Sequence, residues 1–286
     1  MNLNNIKKLQ KIINCQVCNG KLKKINSYSF VCKDCNYYSS NLKPSVGQDV
    51  KGIESLRRKN FKQIIKQLLK YKIAPKILEI GSGDGYFIDE CNIANIQITG
   101  SEASLPSLKK LKLIYGEKVI KVHLPKPIQT EQIFDIVIFN DVFEHLEKIN
   151  DVIKEVSLVL RDDGLVILNL PTSDGIVFKI SKFLLSLKIN KFYDRLWQKN
   201  SCSPHLSYFN KLNLTKLFSK NGFVLLESGN LKTLELNNFD RFRNLYKRML
   251  SSLVLTFFTS IFFFLQFVLP KDIMYLIFKK SKTIPK

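Results

Sequence analysis

Strand-length apolar runs and amphipathic helical stretches alternate through the middle of this chain. The runs fall at 76–80, 96–100, 118–122, 134–140 and 164–170, and their alternation with helices predicts an α/β domain on a parallel, doubly wound sheet. Ahead of them, Ile53, Leu56, Phe61, Ile64, Ile65, Leu68 and Leu69 recur near helical spacing with lysines between. Ile53–Tyr71 therefore reads as a helix that leads into the domain and leans over its ligand site. Before it, Pro44 and Gly47 mark a linker.

Two stretches break the alternation. Over 176–199, Ile176, Val177, Ile180, Phe183, Leu184 and Leu187 make one apolar face, with Lys179, Lys182, Lys188 and Lys191 around it and Trp197 after it. Such a helix suits a membrane interface, a lid, or ordinary packing on the sheet. Further on, no charge occurs between Arg248 and Lys271, and the run holds Phe257, Phe258, Phe262, Phe263, Phe264 and Phe267. At about 1.5 Å per residue a helix of this length spans about 30 Å, the thickness of a bilayer core. Both flanks are basic, however, and a full span would export a lysine-rich tail against the positive-inside rule. Pro270 and the short run Ile273–Phe278 fit a re-entrant or interface-lying hairpin better; a span, or burial in a core or dimer, are the other readings.

The 286 residues suffice for one full α/β core with small additions. The formal charge of +21, mostly lysine, favours an anionic partner, nucleic acid or membrane surface, although the lysine, asparagine and isoleucine richness also fits an AT-rich genome. Met1–Lys24 lacks the apolar core of a signal peptide, so a cytosolic protein is expected. Four of the six cysteines form two CxxC knuckles, Cys15/Cys18 and Cys32/Cys35, separated by thirteen residues. Two such knuckles facing each other make a tetrahedral zinc site, and four thiolates leave no open position for catalysis, so the expected metal is structural. A reducing compartment disfavours disulfides here. Cys91 and Cys202 read as a helix-packing residue and a loop thiol.

The chemistry begins at Leu78-Glu79-Ile80-Gly81-Ser82-Gly83-Asp84-Gly85, an apolar strand running into a GxGxG turn and a helix start. Glycines let the backbone turn tightly and come close to a ligand, towards which the following helix points its free N–H groups. Glu102 follows about twenty residues on, after a second strand, the spacing at which a carboxylate holds ribose hydroxyls. A nucleoside-containing cofactor is implied, and the spacing departs from the GxGxxG of dinucleotide enzymes.

With Glu79 ahead of the first glycine, this motif resembles motif I of class I S-adenosylmethionine-dependent methyltransferases. Phe134–Leu146 resembles their "FDxI…vxEHl" strand and loop, and Ile149–Pro171 their "LkpgGxlxixxP" segment. Pro204–Phe209 with Asn221-Gly222-Phe223 resembles their "Hxxxf…l…GF" segment. The matches fall in order over 76–230 and are similar to the Glu-His type of the methyltransferase-23 and ubiquinone O-methyltransferase group. The resemblance implies a Rossmann-like seven-stranded sheet, closed by an antiparallel pair that Phe223–Glu227 and Leu231–Leu236 can supply. The expected organisation is a zinc ribbon at 12–40, linker and leading helix at 41–75, and the methyltransferase domain at 76–236 with a lid or insertion at 172–204. A basic, Phe-rich, membrane-associating and helical tail is expected at 237–286.

By the same resemblance, Gly81, Gly83 and Gly85 form the loop for S-adenosylmethionine, with Glu79 near its methionyl end, Glu102 on the ribose and Asn140 facing the crevice. His145 and His205 are the candidate catalytic bases. Asp141-x-x-Glu144-His145 also resembles the acidic-x-x-Glu-His set that can hold a divalent ion in ubiquinone-biosynthesis O-methyltransferases, with Asp in place of Glu at its first position. The leading expectation is O-methylation of a small-molecule, glycan or lipid-linked acceptor at the cytosolic membrane face. The rival is ribosomal or transfer RNA methylation, with the ribbon and basic surface gripping RNA.

Overall fold

The computed structural model describes residues 14–45, 54–234 and 268–281. Its main domain is a seven-stranded sheet of β4 (Lys76–Ile80), β5 (Gln97–Glu102), β6 (Val119–Lys121), β7 (Phe134–Asn140), β8 (Leu160–Pro171), β10 (Phe223–Leu231) and β11 (Ile273–Lys280). The spatial order is β10-β11-β8-β7-β4-β5-β6. From β6 to β8 neighbouring strands are parallel, while β11 runs antiparallel to both β8 and β10.

Alternation within the strands divides the core between the two faces. Leu78, Ile80, Val137, Phe139, Val166 and Leu168 point to one side. There they meet α4 (Ile149–Val159) and α7 (Lys211–Ser219). Ile77, Ile136, Ile138, Leu165 and Ile167 point to the other side, towards α1 (Glu54–Leu68), α2 (Tyr86–Ile93) and α3 (Leu105–Tyr115). The inward stripe of α4, Ile149, Val152, Ile153 and Val156, has the i, i+3, i+4, i+7 spacing that one helix face requires.

The closing pair differs from expectation. Phe223–Leu231 is one strand, residues 232–234 leave the sheet, and the partner of β10 is β11. The run Ile273–Phe278, expected in an interface-lying hairpin of a 237–286 tail, is instead a strand lying between β10 and β8. Met274, Tyr275, Leu276, Ile277 and Phe278 are all buried. A strand covered on both faces reads as an unbroken apolar run, the same signature as a membrane-seeking segment. The phenylalanines from 257 to 267 lie outside the described residues, so the segment between Leu234 and Val268 is an insertion between two paired strands rather than a tail. Among the described residues no helix is long and apolar enough to cross a membrane.

The stretch after β8 forms two helices, α5 (Ile176–Ser186) and α6 (Lys191–Leu196). At the N-terminal end, β1 (Leu22–Lys24), β2 (Ser29–Cys32) and β3 (Tyr38–Ser40) make the antiparallel ribbon. Its fourth strand comes from the main domain: β9 (Ser207–Tyr208) pairs with β3, Tyr38 opposite Tyr208 and Ser39 opposite Ser207.

Candidate active site

The carboxyl ends of β4 and β7 open into a cleft of about 140 Å³ lined by Arg57, Phe61, Glu79, Gly81, Ser82, Gly83, Asp84, Tyr86, Phe87, Asn140, Asp141 and Val142. Gly81 adopts φ +72°, and a Cβ there would lie 2.7 Å from Val142 Cγ2. Gly83 has φ +55° with nothing within 4 Å of where its Cβ would be, so bare backbone faces the cleft. Gly85 caps the start of α2, also at positive φ. The loop is sewn to the next strand by Ser82 N–H donating to Ser101 O (2.8 Å) and Ser101 N–H donating to Ser82 Oγ (3.0 Å).

Beneath the loop runs a buried polar ladder across three strands. Asn169 Nδ2 donates to Asn140 Oδ1 at 3.4 Å, and Asn140 Nδ2 donates to Glu79 Oε1 at 2.9 Å. Asn140 and Asn169 stand opposite each other in the β7–β8 register. Glu79 is buried and its Oε2 has no hydrogen-bond partner. Burial pushes its carboxyl up to about 7, against the lowering effect of the Asn140 hydrogen bond and the nearby Ser82. Glu102 ends β5, outside the lining of the cleft, and its Oε2 is likewise buried and unpartnered. Burial raises its carboxyl too. Two orphaned acceptors at the ends of adjacent strands fit a ligand that brings donors: an ammonium group for Glu79 and ribose hydroxyls for Glu102. The residues present thus fit S-adenosylmethionine, which supplies its methyl group as a sulfonium electrophile when bound.

Arg57, which the sequence placed only in a leading helix, lines this cleft with its Nε 3.6 Å from Asp141 Oδ2. The next residue, Arg58, fixes α1 to α2 by donating to Asp89 (2.9 Å) and to the buried Glu90 (3.1 Å). A single helical pattern could not say which of its polar residues would turn towards a ligand.

Beyond Asn140 the chain passes through Asp141, at φ +54°, into a 3₁₀ turn, Phe143–His145. The turn brings His145 against His205, ring centroids 4.7 Å apart and nearly perpendicular at 66°. Their tautomers follow from their partners. His145 Nδ1 lies 3.0 Å from Pro204 O, which only accepts, so Nδ1 carries the proton. His205 Nδ1 lies 3.1 Å from Tyr208 OH, whose own proton goes to Leu196 O at 2.9 Å, so His205 Nδ1 is also the donor. Both lone pairs then reside on Nε2, and that of His205 accepts from Gln198 Nε2 at 2.9 Å. Burial, helped by the neighbouring His145, holds His205 well below the ordinary imidazole range. Glu144 is buried with Oε2 unpartnered, and burial followed by the nearby Asp141 pushes its carboxyl well above the usual range.

One ligand atom each from Glu144, His145 and His205 lies within 4.8 Å of the other two. The acidic-x-x-Glu-His grouping read from the sequence is thereby rearranged: Asp141 stands with Arg57, and His205 takes its place in the cluster.

The four ribbon cysteines also converge, all Sγ atoms within 4.8 Å of one another. Cys15–Cys35 and Cys18–Cys32 are 3.5 and 3.4 Å apart. Zinc–sulfur bonds of about 2.3 Å imply sulfur separations of about 3.8 Å in a tetrahedron, so the set fits zinc and stands apart from the cleft. The ribbon is bound to the catalytic layer by more than β3–β9 pairing. Ser40 Oγ donates to His205 O (2.7 Å), Ser40 N–H to Leu206 O (2.9 Å), and Tyr37 OH shares a 2.7 Å hydrogen bond with Ser207 Oγ. Cys91 is buried against the sheet and Cys202 is exposed, as expected of a packing residue and a loop thiol.

A parallel sheet with a glycine turn after its first strand, and acidic residues ending that strand and the next, defines a class I nucleoside-cofactor fold. The methyltransferase-domain family Methyltransf_23 matches residues 53–228, and the chain belongs to it: it is a class I S-adenosylmethionine-dependent methyltransferase. No curated protein sequence matches the chain. Among solved structures it is similar to a candidate sarcosine dimethylglycine methyltransferase from Galdieria sulphuraria (15% identity, 85% of this chain and 93% of that one, TM-score 0.54). It is also similar to a complex of the Trm112 methyltransferase activator with a candidate methyltransferase from Haloferax volcanii (8%, 82% and 95%, 0.52). A third is a candidate methyltransferase from Bacillus halodurans C-125 (14%, 77% and 99%, 0.51). At these identities the likeness is one of fold.

Proposed function

We propose that this methyltransferase O-methylates a hydroxyl-bearing small-molecule, glycan or lipid-linked acceptor at the cytosolic face of a membrane. The observation that carries the reading is the His145–His205 pair beside the end of β7, two imidazoles with Nδ1–H committed and the lone pair on Nε2, that of His205 already accepting from Gln198. Methyl transfer to a hydroxyl needs orientation and removal of one proton, and a neutral imidazole does the second. Membrane placement rests on the uncharged run between Arg248 and Lys271 and the charge of +21.

The ribbon gives the RNA reading little support. Of the four ribbon aromatics able to stack bases, Tyr28, Tyr37 and Tyr38 are buried against the main domain, leaving Phe30. The test supplies methyl-labelled S-adenosylmethionine and purified protein to a lysate of the source cells, then separates lipid, glycan, RNA and protein. Label in lipid, glycan or small-molecule fractions supports the proposal; label in RNA sinks it.

A further inference from the structure

The helix α5 faces the opposite way from a helix that packs on a sheet. Its buried residues are Phe178 and Ser181. Its apolar stripe points outward: Ile180, Phe183 and Leu187 are 41, 64 and 56% exposed. Ile189 and Phe192, at 45 and 56%, extend the stripe to the start of α6. No carboxylate occurs between Asp174 and Asp194, whereas Lys179, Lys188 and Lys191 are exposed around the stripe. Contiguous apolar exposure ringed by cations is unusual on a surface facing only water.

We infer that the outward face of α5 and α6 docks on an anionic lipid bilayer. The apolar side chains suit the acyl boundary, and the exposed lysines suit phosphate headgroups. Where the remaining chain leaves the described structure gives a second, independent argument. Ile176 N–H donates to Pro270 O (3.2 Å) and Val177 N–H to Asp272 Oδ1 (2.8 Å). Ile176 and Val177 also share a small pocket with Thr233, Leu234, Pro270 and Lys271. Both ends of 235–267 therefore start from the head of this stripe. Leu231 and Ile273, which flank that stretch, pair with each other in the sheet. The stripe also lies over the catalytic layer: Phe178 packs on Tyr208 at 4.7 Å, and Tyr208 accepts from His205. Docking through it sets the histidine pair close beneath the lipid.

The inference extends the membrane-face reading and is tested without a methyl acceptor, so a soluble acceptor would defeat that reading and leave this one standing. Full-length, zinc-loaded protein is floated with phosphatidylcholine vesicles with and without phosphatidylglycerol. The wild type is expected to float with the anionic vesicles and to dissociate as salt rises. The double variant Phe183→Glu/Leu187→Glu, with unchanged melting temperature and cofactor binding, is expected to lose at least about tenfold in partitioning. Lys188→Glu/Lys191→Glu is expected to lose the preference for anionic lipid. Flotation of the Phe183/Leu187 variant equal to wild type overturns the inference, as does absence of flotation. Two further results overturn it: strong hydrogen-exchange protection of 180–192 in lipid-free monomer, which would show the chain covering its own stripe, and a wild-type dimer that the variant abolishes.

Discussion

His145 and His205 stand ring to ring at 4.7 Å although sixty residues separate them, and the backbone of each one's neighbourhood holds the other. Pro204 O accepts from His145, while Leu206 N–H donates to Glu144 O at 2.8 Å. The pair is thus one unit supplied by two loops, and its chemistry should fail as a unit.

Replacing either histidine by alanine is expected to lower methyl transfer by about 10²–10⁴-fold, with the double variant little worse than the singles. Cofactor affinity, measured by calorimetry, should stay within about threefold, since neither ring lines the cleft. Near-normal turnover in His205→Ala would remove it from the mechanism.

His205 is held neutral by burial, so its folded basicity lies below its unfolded value near 6.5. The unfolded state then binds more protons below about pH 6.5, and stability falls as pH drops through that range. His205→Gln should flatten this acid limb in chemical denaturation curves measured across pH.

Glu79 behaves in the opposite sense. Its carboxyl is raised to about 7 from an ordinary value of 4.5, so the folded apoprotein holds a proton that the unfolded chain has lost. Its stabilising effect is complete below about pH 4.5 and disappears as pH rises through 7, a span of about 3 kcal/mol. Glu79→Gln keeps the Asn140 hydrogen bond and should stabilise the apoprotein at pH 8. The same variant should weaken S-adenosylmethionine binding and erase its pH dependence near 7, readable by titration calorimetry.

Glu102→Ala removes a buried acceptor suited to the ribose. A hydrogen bond to a charged group is worth about 1.5–3 kcal/mol, so cofactor affinity is expected to drop about 10–100-fold. Unchanged affinity would mean that the end of β5 does not meet the ribose.

Removing zinc should reach the active site through β3. The ribbon holds the carbonyls of His205 and Leu206, so chelation or Cys32→Ser should lower the melting temperature, increase hydrogen exchange at 205–208 and abolish turnover together. Metal analysis should give one zinc per chain. Full activity in a zinc-free protein with an unfolded ribbon would contradict this coupling.

Much of the domain is written in local pattern. The strands β4, β5, β7 and β8 and the helix α4 carry clear periodicity, and the glycine loop, Glu79, Glu102, Asn140 and the cysteines stand at diagnostic spacings. Pairings across long separations were not legible. Nothing in Ser207-Tyr208 announces that it completes the ribbon, because two residues cannot display a period. Asn169 and Arg57 reach the site unannounced, one through strand register and the other through helix rotation. The apolar stripe of α5 was visible, but its outward aim was not, since periodicity gives the width of a face and not its direction.

The position of β11 has a consequence for how the chain is made. The sheet stays split between β8 and β10 until Ile273–Lys280 has left the ribosome, and the uncharged phenylalanine run emerges before it. A hydrophobic segment thus meets the cell while the catalytic domain still has an open seam, so any capture by lipid precedes closure of the fold. Truncation at Arg248 to remove that segment would also discard the strand that seals the seam, and would report on an unfolded enzyme. Excision of residues 235–267 alone, with β10 rejoined to β11 by a short turn, is the cut that leaves the sheet whole.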